Sequence, residues 1–291
     1  MRLVALLLLA ATLPAADLNT LTPEERREGF RLLFDGKTFT NWKDPAKKDV
    51  PNNAWAIEDG TLKTVVKGDK SSGDKSSGDK SSGDKSGGNK FSEDLITEKT
   101  FANFDLKFDW RIQAKGNTGL KYRIQKEIFL EEEKVPAATF ERMMGRELIE
   151  HVSNRKTYTG GTAQVYTVGF EFQLLDDEGH PDGKKDVSHR TGALYSFIPA
   201  TRTAAKTPGE WNTSRLIVKK DHFEHWLNGV LVLQGSLKDS RVAEGAKKRW
   251  GPAPAIKDWL VDAKPVGTIA LQHHGDEVWF RNVKVRDLPA K

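Results

Sequence analysis

Residues 167–179 read TVGFEFQLLDDEG. Taken as a strand from Gly169 to Asp176, the stretch alternates. Phe170, Phe172 and Leu174 share one face, and Glu171 and Gln173 share the other. Successive side chains of a strand point to opposite faces, so the apolar row belongs to a core and the carboxylate and amide to a separate surface. That surface is either a solvated face or a row of groups placed to hold a polar ligand.

The same alternation recurs along the chain. In DLKFDWRI (105–112), Leu106, Phe108, Trp110 and Ile112 oppose Lys107, Asp109 and Arg111. In GLKYRIQ (119–125), Leu120, Tyr122 and Ile124 oppose Lys121, Arg123 and Gln125. In IALQHH (269–274), Ile269, Leu271 and His273 oppose Ala270, Gln272 and His274. Further strand-like runs are AWAIEDGTLKTVV (54–66), GALYSFI (192–198), TSRLIVKKDHFEHWLNGVLVLQ (213–234) and EVWFRNVKVRDL (277–288). Asp59-Gly60 and Asn228-Gly229 are hairpin signals. Many short strands, tight turns and few helices predict an all-β antiparallel sandwich or jelly roll. On its polar faces, Gln, Glu, Arg and His supply the paired donors and acceptors that vicinal sugar hydroxyls need.

Bulk properties narrow the function. The first sixteen of the 291 residues, MRLVALLLLAATLPAA, pair a basic residue with an apolar run and a small-residue end, as a secretory signal peptide does. Residues 17–291 then form one β-sandwich domain, exported to the periplasm or beyond. No other run reaches the ~18 apolar residues of a membrane span. The chain has no cysteine, which excludes disulfides, thiolate metal sites and thiol nucleophiles. Its net charge of +5 is spread among acids and bases, with KKR at 247–249 as the densest cluster, and reads as a solvated surface rather than a nucleic-acid site. Motifs for zinc proteases, phosphate loops and serine hydrolases are absent.

Two insertions interrupt the strand pattern. Residues 68–90 are dominated by GDKSS repeats, whose composition predicts a disordered loop. In residues 126–157, Phe140, Met143, Met144, Leu148 and His151 fall near helical spacing, which predicts a helix of about three turns. The acid-rich loop around His180 and His189 does not follow the order of a calcium loop, so calcium is unsupported and no cofactor is expected. Trp211, Trp226, Trp250, Trp259 and Trp279 are able to stack on sugars, but each reads individually as a core or edge aromatic.

Nine segments in order carry a resemblance: FRLLFDGKTFTNWK, WAIEDGTL, DLITEKTFANFDLKFDWR, GNTGLKYR, FEFQLLDD, TGALYSF, PGEWNTSRLIV, HWLNGVLV and IALQHHGDEVWFRNVKVRDL. Together, over about residues 28 to 288, they resemble the 3-keto-disaccharide hydrolase family. That resemblance implies a concanavalin A-like jelly roll whose concave polar sheet is the sugar site. Two segments depart from the family pattern: NTGL stands for NSGI, and QHHG for QDHG, which puts His273 in place of an acid.

The family's name implies a substrate already oxidised at C3. The ketone acidifies the C2 proton, so the group at C1 leaves by elimination and water then adds to the enone. On this expectation Glu171 or His274 is the base, Arg123 and Lys121 stabilise the enolate, and Gln173, Gln272 and Asp109 position hydroxyls. The substrate would come from a separate sugar 3-dehydrogenase, with neither nucleic acid nor membrane as partner. The alternatives are a carbohydrate-binding module without catalysis and a conventional glycosidase with Asp109 as second acid.

Overall fold

The computed structural model describes residues 18–45, 54–66, 94–132, 140–148 and 163–290. The leader and the GDKSS repeat, and with them the expectations placed there, lie outside the described residues. Helix α1 (Pro23–Arg27) is followed by β1 (Arg31–Leu32), β2 (Trp42–Lys43), β3 (Trp55–Glu58), β4 (Thr61–Thr64), β5 (Leu95–Thr97), β6 (Phe104–Ile112) and β7 (Asn117–Glu131). Next come β8 (Met144–Glu147), β9 (Ala163–Leu175), β10 (Asn212–Lys219), β11 (His222–Leu227) and β12 (Val230–Ser236). Helices α2 (Ser240–Trp250) and α3 (Pro254–Val261), then β13 (Thr268–Leu271) and β14 (Val278–Asp287), complete the fold.

Two antiparallel sheets form the expected sandwich. The first runs β12-β11-β10-β6-β14-β4-β3, with β1 also pairing β14. The second runs β2-β5-β13-β7-β8, with β9 also pairing β7. Both hairpin signals hold: Asp59-Gly60 joins β3 to β4, Asn228-Gly229 joins β11 to β12, and all four residues have positive φ. The apolar rows read from alternation meet between the sheets, where Phe108 of β6 lies 6.2 Å from Phe172 of β9, edge to face; Ile124 is set apart and packs with Ile96 and Ala270.

One polar residue crosses this core. His225 of β11 is fully buried and stacks flat on Phe172, with centroids 4.0 Å apart. Its Nδ1 lies 3.0 Å from the Gly192 carbonyl and its Nε2 lies 3.2 Å from the Tyr122 hydroxyl, so both ring nitrogens are satisfied. Burial, only partly opposed by the Gly192 bond, pushes its pKa down to about 3.

Three expectations change. The segment Phe140–Glu147 is a 3-10 turn and the strand β8, because β7 runs on to Glu131 and its far end pairs with Met144–Glu147. GALYSFI is a chain of turns clipped to the edge of β9 through Gln173 N–H to Ala193 O (3.2 Å) and Tyr195 N–H to Glu171 O (3.0 Å). Helices α2 and α3 were not expected. In α2, Asp239 caps the start by accepting the Arg241 N–H, and Val242, Ala246 and Trp250 bury one face.

Tyr122→Phe should cost about 1 kcal/mol in urea unfolding and His225→Ala about 3 kcal/mol. An unfolded His titrates near 6.5, so between that pH and about 3 the unfolded state binds the extra proton. Wild type should therefore lose stability relative to His225→Phe as pH falls through this window.

Candidate active site

The outer face of the second sheet carries a cavity of about 440 Å³, a volume suited to a small sugar. The β7–β9 register builds its floor: Lys121 lies opposite Glu171 and Gly119 opposite Gln173. Four sequence-expected residues besides Lys121, namely Glu171, Gln173, Gln272 and His274, line the same cavity.

Glu171 is 8% exposed and stands over Gly119, where an added Cβ would lie 2.2 Å from its Oε1. The bare backbone there makes room for the carboxylate. The Gln173 amide nitrogen, turned toward Glu171, donates to Oε1 (2.9 Å) and to the Thr118 carbonyl (3.2 Å). Burial raises the Glu171 pKa to about 7, against the charges of Lys121 and Arg249, which favour the carboxylate. The other acids of the cavity are tied down. Asp94 accepts from Lys121 Nζ (3.0 Å), Thr167 Oγ1 (2.6 Å) and the His273 N–H (3.2 Å). Asp182 accepts from the Tyr195 hydroxyl (2.8 Å) and contacts His189 Nδ1 (3.1 Å) and Lys185 Nζ (3.2 Å). Burial opposes ionisation of Asp182, but these bonds outweigh it and hold its pKa well below the usual range. Lys121 keeps its proton in the same way: burial disfavours the ammonium, and the surrounding groups, Asp94 first among them, more than compensate.

Arg123 and Asp109 stand elsewhere. The strand β7 bulges between Tyr122 and Lys126, with Arg123 at φ +52°, so residue 123 leaves the alternation. Its guanidinium donates to the carbonyls of Ala102 (3.0 Å) and Lys220 (2.6 Å), where it ties loops together. Gly169 and Gly267 mark the bulge, for a Cβ on either would come within 2.8 Å of its backbone. Asp109 is on the first sheet, accepting from Asn282 Nδ2 (2.8 Å) and Arg281 Nε (3.3 Å). His273 is buried edge-on against Trp55.

Sequence reading missed Asp94, Asp182, Tyr195 and Arg249. Asp94 has its partners Lys121, Thr167 and His273 far along the chain, whereas Asp182 and Tyr195 meet across a loop that carries no repeating pattern. Arg249 did leave a signal. It follows Val242 and Ala246 at helical spacing and precedes the buried Trp250, so it belongs to the inward face of α2 while Lys247 and Lys248 point to solvent. Its guanidinium packs over the rings of Tyr195 (4.8 Å) and Trp250 (5.1 Å) and lies 3.7 Å from Glu141.

Near the opening, one ligand-type atom from each of His180, His274 and Asp276 falls within 4.8 Å of the others.

A β-sandwich with a sugar-sized polar cavity on one sheet, holding a desolvated carboxylate among cations, is the architecture of a carbohydrate-active protein. The family follows from comparison: residues 29–286 match the model of the 3-keto-alpha-glucoside-1,2-lyase-like domain, and the chain belongs to that family. It is 30% identical over 285 residues to a 3-keto-disaccharide hydrolase of Bacteroides thetaiotaomicron, covering 95% of this chain and 84% of that protein. A structure from Parabacteroides distasonis, provisionally assigned as a glycosyl hydrolase, is 28% identical and superposes with a TM-score of 0.62. The match covers 94% of this chain and all of that one. A second from the same organism, at 20% identity and a TM-score of 0.50, shares the fold.

Gly119→Ala should push Glu171 out of place and lower turnover of the native substrate by ~10–100-fold, with the far-UV spectrum unchanged. Asp109→Asn, on the other sheet, should leave kcat/KM within about twofold.

Proposed function

We propose that the protein cleaves 3-keto-glycosides by elimination across C1 and C2 followed by addition of water, with Glu171 as the base. One observation carries this reading: a buried carboxylate whose pKa is raised to about 7, beside Lys121 and Arg249, in a sugar-sized cavity. A carboxylate in that range accepts a proton at neutral pH and still has the basicity to take it from a carbon acidified by the adjacent ketone.

In the first step Glu171 removes the C2 proton and the bonding pair moves onto the C3 oxygen, forming an enolate. Collapse of the enolate re-forms the ketone, makes the C1–C2 double bond and expels the oxygen substituent at C1, which takes up a proton as it leaves. Water then adds at C1 and C2 regains a proton, so the net change is hydrolysis. Lys121 and Arg249 supply positive charge for the enolate; Lys121 keeps the part first expected of it, and Arg249 takes the one first expected of Arg123. Gln173 orients Glu171, and Gln272 offers its amide to hydroxyls. Asp182 stays ionised as a support for Tyr195, and Asp94 holds the Lys121 ammonium in place. The ordinary glycosidase reading needed Asp109 as its second acid, and that residue is on the other sheet. A 3-keto sugar arises by oxidation at C3, so we take a separate sugar 3-dehydrogenase to supply it. We take the first sixteen residues to direct export.

Below about pH 7 Glu171 holds a proton and has no basic pair; above it the carboxylate is free. The kcat/KM for a 3-keto disaccharide should accordingly rise through an acid limb near pH 7 to a plateau, and Glu171→Gln should abolish it by at least ~10²-fold. The parent disaccharide, lacking the ketone, should not be cleaved. Undiminished turnover by Glu171→Gln would remove Glu171 as base.

A further inference from the structure

We propose that His180, His274 and Asp276 form a binding site for one divalent transition-metal ion at the mouth of the cavity. The three residues come from two separate turns, His180 from the turn after β9 and His274 and Asp276 from the β13–β14 connection, and their ligand-type atoms converge within 4.8 Å. His180 and His274 meet edge to face, with centroids 6.0 Å apart and planes at 83°, so neither ring stacks over the other. Asp276 is already oriented: its Oδ2 accepts the Asn117 N–H (3.0 Å), and its backbone carbonyl accepts the Thr64 hydroxyl (2.7 Å). Such outer hydrogen bonds aim carboxylate ligands in metal sites. A second observation points to a ligand here. Gln272 Oε1, lining the same cavity, is buried and has no hydrogen-bond partner.

Two imidazoles and one carboxylate suit zinc, cobalt, nickel or manganese; calcium takes six to eight oxygens. Three protein ligands leave coordination positions open for small molecules. A 3-keto sugar offers its C3 carbonyl oxygen and a neighbouring hydroxyl as a five-membered chelate, and a metal on the carbonyl oxygen would hold the charge that builds there when the C2 proton leaves. That role rests on the function proposed above; the binding itself does not. Loading requires one local change. The Asp182 N–H now donates to His180 Nδ1 (3.1 Å), which places the proton of the neutral ring on Nε2, and this bond must open for the ring to ligate.

The test is a Co²⁺ titration of the chelator-stripped protein lacking residues 1–16, read by visible absorption and by thermal shift. One equivalent should bind saturably, producing d–d bands and a raised Tm, with Ca²⁺ giving neither. His180→Ala and His274→Ala should each weaken binding at least ~10-fold. Asp276→Asn, which keeps the acceptor for the Asn117 N–H, should weaken it while leaving the metal-free Tm unchanged. Absence of saturable binding, or binding unaltered in all three variants, overturns the site. Cleavage of a 3-keto disaccharide is scored separately. Binding without any cleavage keeps the site and rejects the proposed function, whereas equal cleavage by stripped and loaded protein overturns the ion's role on the ketone.

Discussion

The register between β7 and β9 is the constraint on which the rest depends. It sets Lys121 across from Glu171 and Gly119 across from Gln173, and in the same pairing sends Tyr122, Phe170 and Phe172 into the core. A slip of one residue would reverse both faces at once, exposing the aromatics and burying the charges among them. The large apolar penalty of that alternative is what holds the polar groups of the cavity in place. The stack of His225 on Phe172 locks the same strand from the opposite sheet.

Within that frame the acids of the cavity are separated by their partners. Asp94 and Asp182 each collect several hydrogen bonds and a cation, whereas Glu171 has one amide and no direct cation. Burial of Glu171 then outweighs the more distant charges of Lys121 and Arg249, and its pKa rises to about 7. Similar side chains placed in unlike environments are how a protein divides structural from chemical roles. Lys121 belongs to both groups, neutralising Asp94 at contact and facing Glu171 across the strand pair.

The sandwich itself was readable because a strand with one buried face must alternate, and the alternation survives without any tertiary information. For the same reason Lys121 was put on the polar face of its strand, and Glu171 and Gln173 on the polar face of theirs, from parity alone, and Asn228-Gly229 announced its hairpin. Parity says which face a residue takes within its own strand but not which sheet the strand joins, and so Asp109 was grouped with a cavity that lies on the other sheet. Parity also assumes an unbroken ladder. The bulge after Tyr122 ends that assumption, and Arg123 turns away to bind loop carbonyls.

The sequence alone therefore determined the local periodicities: the β class, the two hairpins, the core aromatics and half of the polar floor. Tertiary structure decided everything that depends on contacts distant along the chain. The Asp94–Lys121 pair, Tyr195 on the clipped edge of β9, Arg249 on the inward face of α2 and the meeting of His180 with His274 all join segments many residues apart. No period in the sequence encodes those meetings, because they follow from how two sheets and their connections pack in space rather than from the repeat of any single element.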